Sequence, residues 1–129
     1  VRTAAQRWTR RLALAQGAFY FLSGVWPLLH LRSFLAVTGP KTDLWLVQTV
    51  GALLAVLGGG LVLSARRQSV GAEWHWVGGG AAAVLAAVDL VFVGRHVIPP
   101  IYLADAVVEG VLVLAWIGVT WRRLAGEIS

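Results

Sequence analysis

Residues Ile98–Ile117 read IPPIYLADAVVEGVLVLAWI. The run is apolar enough to enter a bilayer, yet it carries Asp105 and Glu109. Four residues apart, those two acids share one face of a helix. A carboxylate in hydrocarbon is costly unless it is protonated, paired or wetted. The helix must therefore turn this face toward protein or water. Pro99-Pro100 stops the preceding helix and opens this one. Arg122-Arg123 closes it, so a span is expected over residues 101–121.

Composition places the whole chain in the same setting. Of 129 residues, 58% are hydrophobic and only 13% charged, with a mean hydropathy of +0.75. Soluble domains carry roughly a quarter charged residues. One domain is expected, an all-α polytopic membrane protein. The net charge of +5 could suggest nucleic acid, but the basic residues fall at helix ends, where topology and lipid headgroups account for them. No nucleic-acid partner is expected. The absence of Cys excludes thiol–disulfide chemistry, thioether haem attachment and thiolate metal sites. It also excludes the four-helix quinone-linked disulfide enzymes.

Outward from the fourth span, three more apolar segments follow the same logic. The first is expected over 12–31, about the length a ~30 Å hydrocarbon core needs. It is read as a retained span rather than a signal peptide, behind a basic lead-in of Arg2, Arg7, Arg10 and Arg11. Gln16, Tyr20, Ser23, Pro27 and His30 recur on one face of it. That face should meet protein or water, although helix–helix hydrogen bonding alone would explain Gln16 and Ser23. Pro27 is expected to kink the helix. Residues 32–43 form the longest connection, read either as a lid or as an ordinary hairpin loop, with a short turn of helix at 33–37.

The second span is expected over 44–65, with Trp45 at the interface and Gln48 one turn in. Gly51, Ala52, Ala55 and the Gly58-Gly59-Gly60 triplet read as close helix packing. A phosphate loop would need a strand before it and a Lys after it. The third span is expected over 76–94. Glu73-Trp74-His75-Trp76 opens it, and His75 reads as a wet interfacial residue. Gly78, Ala82 and Ala86 make a small-residue face, Asp89 lies well inside, and His96 follows seven residues later. The tail Leu124–Ser129 is expected to be wet.

Four spans put both termini on one side. Arg2, Arg7, Arg10, Arg11, Arg66, Arg67, Arg122 and Arg123 fall there, against Arg32, Lys41 and Arg95 on the other. The positive-inside rule makes the first side cytoplasmic, in a bacterial inner (plasma) membrane. Depth then sorts the acids. Asp89 lies ~8 Å, Asp105 ~6 Å and Glu109 ~12 Å below the outer rim at 1.5 Å per residue. Gln48, His30 and His96 share that layer.

Three carboxylates this close cannot all be ionised without counter-charge. One must be neutral, or a rim Arg or Lys must dip in. Such a cluster suits a small amphipathic or lipid-like ligand, cationic or sterol-like. A proton-coupled carrier or oligomeric channel is the alternative, and a structural or partner-binding subunit with no ligand is the third. The expected ligand-binding residues are Asp89, Asp105, Glu109, Gln48, His30, His96 and Tyr20, with Trp45 and Tyr102 framing the mouth. No metal site is expected, because no His pair has ligand spacing, and no cofactor is implied. Ser23 and His30 stand two turns apart, ~10 Å along one helix, which is too far for a nucleophile and its base. Membrane lipid is an expected partner. The glycine faces leave a homo-oligomer open.

Trp26-Pro27-Leu28-Leu29-His30-Leu31-Arg32-Ser33-Phe34, Val37-Thr38-Gly39-Pro40-Lys41 and Trp45-Leu46-Val47 resemble small bacterial four-helix membrane proteins without an assigned activity. Asp89 and Pro100-Ile101-Tyr102-Leu103-Ala104-Asp105 fit the same pattern. The architecture also looks like the DoxX-type and EXPERA-type four-helix proteins. The latter include sterol isomerases and sigma-type receptors, which use membrane-embedded acids facing a cavity. Their motif has no residue-by-residue match here, so the likeness implies an architecture and no catalytic roles.

Overall fold

Hydropathy and helix do not start together. Thr3 caps α1 (Ala4–Leu29), its hydroxyl oxygen accepting from the Gln6 N–H while the Gln6 side chain accepts from the Thr3 N–H. This reciprocal capping box starts the helix within the basic lead-in, ahead of the expected residue 12. The computed structural model describes residues 2–128, and side chains for 2–126. It is all-α, with α2 (Leu31–Thr38), α3 (Leu44–Ala65), α4 (Ala72–Gly94) and α5 (Tyr102–Ile128) following α1. No strand occurs among the described residues. The wet tail expected over 124–129 is helical through Ile128, and Ser129 lies outside the described residues.

Four helices, of 26, 22, 23 and 27 residues, are long and apolar enough to cross a membrane. At 1.5 Å per residue each exceeds a ~30 Å hydrocarbon layer. Their outer faces carry large apolar side chains in the open, Leu22, Leu53, Val56, Val84, Val107 and Leu114 among them. α2 is the short turn of helix foreseen in the long connection. His30 ends α1 and caps α2, its Nδ1 accepting from the Ser33 N–H at 3.2 Å.

α1 pairs most closely with α3, and α4 with α5, while α1 also touches α5. The α1–α3 contact is made by backbone. A Cβ on Gly17 would stand 2.7 Å from the Gly58 carbonyl oxygen, and one on Gly51 would stand 2.5 Å from that of Gly24. Gly17 thus faces Gly58, and Gly24 faces Gly51, across antiparallel helices. The triplet contributes through Gly58, while Gly60 lies under the Trp74 ring. Across the other pair, Gly78 accommodates the indole of Trp116.

Each end is tied down differently. At the end holding both termini, Arg10 donates to the Ala65 carbonyl at 3.0 Å and Arg2 to those of Arg67 and Gln68 at 3.1 and 3.3 Å. These guanidinium groups satisfy the unpaired carbonyls where α3 runs out. At the opposite end the loop after α2 folds onto the α4–α5 turn. Gly39 takes a φ of 97°, open to glycine, and a Cβ there would meet Pro99 Cγ at 2.8 Å.

Gly58→Ala should push α1 off α3, since its Cβ would stand 2.5 Å from the Gly17 oxygen. Such overpacking costs about 1–3 kcal/mol. Gly59→Ala, where a Cβ meets nothing within 4 Å, should be neutral. Thermal unfolding in detergent compares the two neighbours directly.

Candidate functional site

The buried stripe of α4 is His75, Gly78, Ala82 and Asp89, and that of α5 includes Ala106, Glu109, Trp116 and Val119. Both have helical spacing, so two apolar helices each present acidic groups to the bundle interior. α1 adds Ala13, Gln16 and Tyr20, on the face beside its glycines.

Glu109 is 1% exposed and accepts a 2.6 Å hydrogen bond from the Tyr20 hydroxyl. Asp89 is 4% exposed and lies beside Asp105, close enough for one carboxyl to hydrogen-bond the other when a proton is shared. Asp105 is half-buried. Asp89 Oδ2 is buried without any hydrogen-bond partner. Glu109 lies near enough for its charge to bear on Asp89, and Asp105 on Glu109. The cluster is acidic with no internal counter-ion. Among the described residues no group of three His, Asp or Glu converges as a metal would require.

Among the described residues no ion pair joins a rim cation to these acids. Lys41 instead donates to the Thr38 hydroxyl at 2.8 Å and to the Gly39 carbonyl at 3.1 Å. Its ammonium stands 5.3 Å from the ring centres of both Phe34 and Tyr102. This cation–π contact clips the α2 loop to the start of α5.

Below the acids the interior stays polar. Gln16 donates to the Gly78 carbonyl at 2.9 Å and accepts from the Trp116 indole at 2.5 Å. Trp116 meets His75 edge-on at 5.2 Å, and His75 Nδ1 lies 2.7 Å from the Thr120 hydroxyl. Sequence reading placed His75 in water. It is buried, because α4 starts at Ala72 and puts it on the inner face of the first turn. Gln16 does make the helix–helix hydrogen bonds that were one of its two readings. Trp116 was missed, although a Trp in mid-span, away from the interfacial belts, is itself a signal.

Of the nine expected site residues, the structure brings together Asp89, Asp105, Glu109 and Tyr20. The other five are exposed or have partners of their own. His30 is exposed at the α1–α2 junction. His96 is exposed in the α4–α5 turn with a φ of 59°, because α4 ends at Gly94 and the seven-residue count from Asp89 no longer follows a helix. Gln48 donates to the Pro27 carbonyl at 3.5 Å, joining α3 to α1. Trp45 is 66% exposed on the outside of α3. Tyr102 is held by Lys41. Two cavities, of about 360 and 570 Å³, open at the termini end, and none of the nine residues lines either.

No family of known proteins, no curated protein and no solved structure matches the chain.

Tyr20→Phe leaves the buried Glu109 without its donor, which should cost about 1–3 kcal/mol. In a Glu109→Leu background the same change should cost little. A double-mutant cycle on unfolding should show the coupling.

Proposed function

We propose that the chain is a multi-pass protein of the bacterial inner (plasma) membrane with both termini in the cytoplasm. Its Asp89–Asp105–Glu109 cluster, below the outer rim, binds a small amphipathic molecule carrying a protonated amine or hydroxyl. Four apolar helices and the arginine-rich termini end support the placement. One observation carries the binding: Asp89 Oδ2, buried and unpartnered beside Asp105. Two carboxylates in contact need either a shared proton or a donor from outside the chain. An ammonium or hydroxyl supplies that donor, and its apolar remainder lies among the lipid-facing side chains.

The same pair suits a proton-coupled carrier, which is the second reading. pH-driven flux in liposomes, abolished by Asp89→Asn with Asp105→Asn, would select it. A structural subunit is the third reading, marked by a partner that co-purifies and no ligand response.

A radiolabelled long-chain alkylamine tests the first reading in nanodiscs. Wild type should bind it saturably, and the Asp89→Asn/Asp105→Asn variant at least about tenfold more weakly, as for a charge-assisted contact of about 1.5–3 kcal/mol. Binding should weaken as pH falls, because protons compete for the same oxygens. Equal binding by the doubly substituted protein, folded by circular dichroism, sinks the reading.

A further inference from the structure

The termini end holds two cavities that share a wall. The smaller, about 360 Å³, has a largely apolar wall into which Thr3, Gln6, Ser69, His75, Arg122 and Arg123 bring polar groups. The larger, about 570 Å³, is an apolar groove between α1 and α5 lined by Trp8, Leu12, Ala115 and Gly118, with Arg11 and Arg122 at its rim. Val119 and Arg122 belong to both. Each volume lies within the range of small-molecule sites, on the order of 300–1,000 Å³.

Electrostatics selects a negative occupant for the polar part. Two helices begin there. α1 starts at Thr3, and α4 starts behind Gly71 with no side-chain cap. α3 and α5 end there, so the helix dipoles offset one another and the arginines set the local potential. Arg122 is exposed, and no hydrogen bond or ion pair occupies it among the described residues. Thr3, Gln6 and Ser69 add neutral donors able to meet hydroxyl or ester oxygens. Among the described residues Glu73 is the acid nearest the cavity, and it folds back over Gly71 without lining it.

The groove selects the rest of the occupant. It is walled by Leu12 and Ala115, and a Cβ on Gly118 would meet nothing within 4 Å. The floor therefore stays open along α5. Trp8 stands at its mouth with the Arg11 guanidinium 5.1 Å from the ring centre, the amphipathic pairing found at headgroup level. A free phosphate would use the arginine side of the smaller cavity and leave the groove idle. A phospholipid uses both, with its phosphate on Arg122 at the junction.

We propose that this paired cavity is a specific site for one anionic glycerophospholipid, its phosphate on Arg122, its hydroxyl-bearing headgroup among Thr3, Gln6 and Ser69, and one acyl chain along the α1–α5 groove. The site is separate from the acid cluster, at the other end of the bundle. It rests on the membrane placement proposed above, but not on the amine-binding reading.

The test uses the full chain in phosphatidylcholine nanodiscs titrated with a phosphatidylglycerol probe, read by native mass spectrometry as one retained lipid. Arg122→Gln should weaken retention about tenfold, as loss of a charge-assisted contact does. Gly118→Leu, which fills the groove without touching the arginines, should weaken it comparably. Arg95→Gln, at the opposite end, and Asp89→Asn should leave it unchanged. Millimolar inorganic phosphate should not displace the lipid. The proposal falls if phosphatidylglycerol is retained no better than phosphatidylcholine, or if Arg122→Gln and Gly118→Leu both bind like wild type. It also falls if Arg95→Gln weakens retention as much as Arg122→Gln, which would mean bulk attraction. Displacement by phosphate alone would reassign the cavity to a free anion. A carbonate wash of membranes, which extracts peripheral proteins only, checks the placement independently. A chain that stays in the pellet but shows no lipid preference defeats this inference alone.

Discussion

Backbone contact between α1 and α3 fixes everything else in the bundle. Packed helices ordinarily stand about 8–10 Å apart because side chains intervene. At Gly17–Gly58 and Gly24–Gly51 nothing intervenes, and each glycine carbonyl lies where a Cβ of its partner would project. Between apolar helices in lipid, association relies on dispersion at such close approaches rather than on hydrophobic burial. Two pairs seven residues apart also lock the register, since a slip would set a side chain against backbone. With this face of α1 committed to α3, the neighbouring face turns toward α4 and α5. Gln16 and Tyr20 lie on it, and so enter the centre at two fixed levels.

What they meet there explains why polar groups are tolerated in so apolar a chain. Gln16 engages Gly78 and Trp116, and Tyr20 engages Glu109. His75 and Thr120 continue the series toward the termini. From Thr120 to Asp105 along α5 is ~22 Å, most of a hydrocarbon layer. A made hydrogen bond contributes only about 0.5–1.5 kcal/mol, whereas an orphaned buried group costs about 1–3. The network thus acts chiefly by penalising every other helix arrangement. Its middle section is an indole N–H and a primary amide, which hold their protons at neutral pH and relay them poorly. An uninterrupted proton path through the whole bundle is disfavoured by that section.

Much of this was legible in the residues. Four long helices, the packing role of Gly51 and Gly58, and the meeting of Asp89, Asp105, Glu109 and Tyr20 all follow from period and depth. The errors share a cause. Hydropathy falls away at arginines, but helical hydrogen bonding does not, so α1 and α4 start before their apolar stretches. That brought His75 inside. Periodicity also fails once a helix ends, which is why His96, counted onto the face of Asp89, and His30, counted onto the polar face of the first span, lie in turns instead. Periodicity assigns a residue to a face, but not to a partner. Gln48 shares the depth of the acids, yet it faces Pro27. Gly17 and Gly24 went unremarked because single glycines in an apolar helix look like any small residue until the opposing helix is in place.

Charge is distributed unevenly along the helices. The buried acids Asp89, Asp105 and Glu109 lie toward one end, and eight of the eleven Lys and Arg lie at the other, together with Glu73. Lys41, the rim cation whose contacts lie closest to the start of α5, is held by Thr38, Gly39 and two aromatic rings. At the termini end, Arg2 and Arg10 are engaged by the carbonyls closing α3. Arg122 is left facing a cavity, as Asp89 Oδ2 is left without a donor. Neither residue can reach the other along helices this long; the low-dielectric interior raises the energy of the unmet Asp89 oxygen, whereas Arg122 is exposed. On the two proposals made above, one end would take its complement from a donor and the other from an anion, and a membrane with headgroups on either side would offer both.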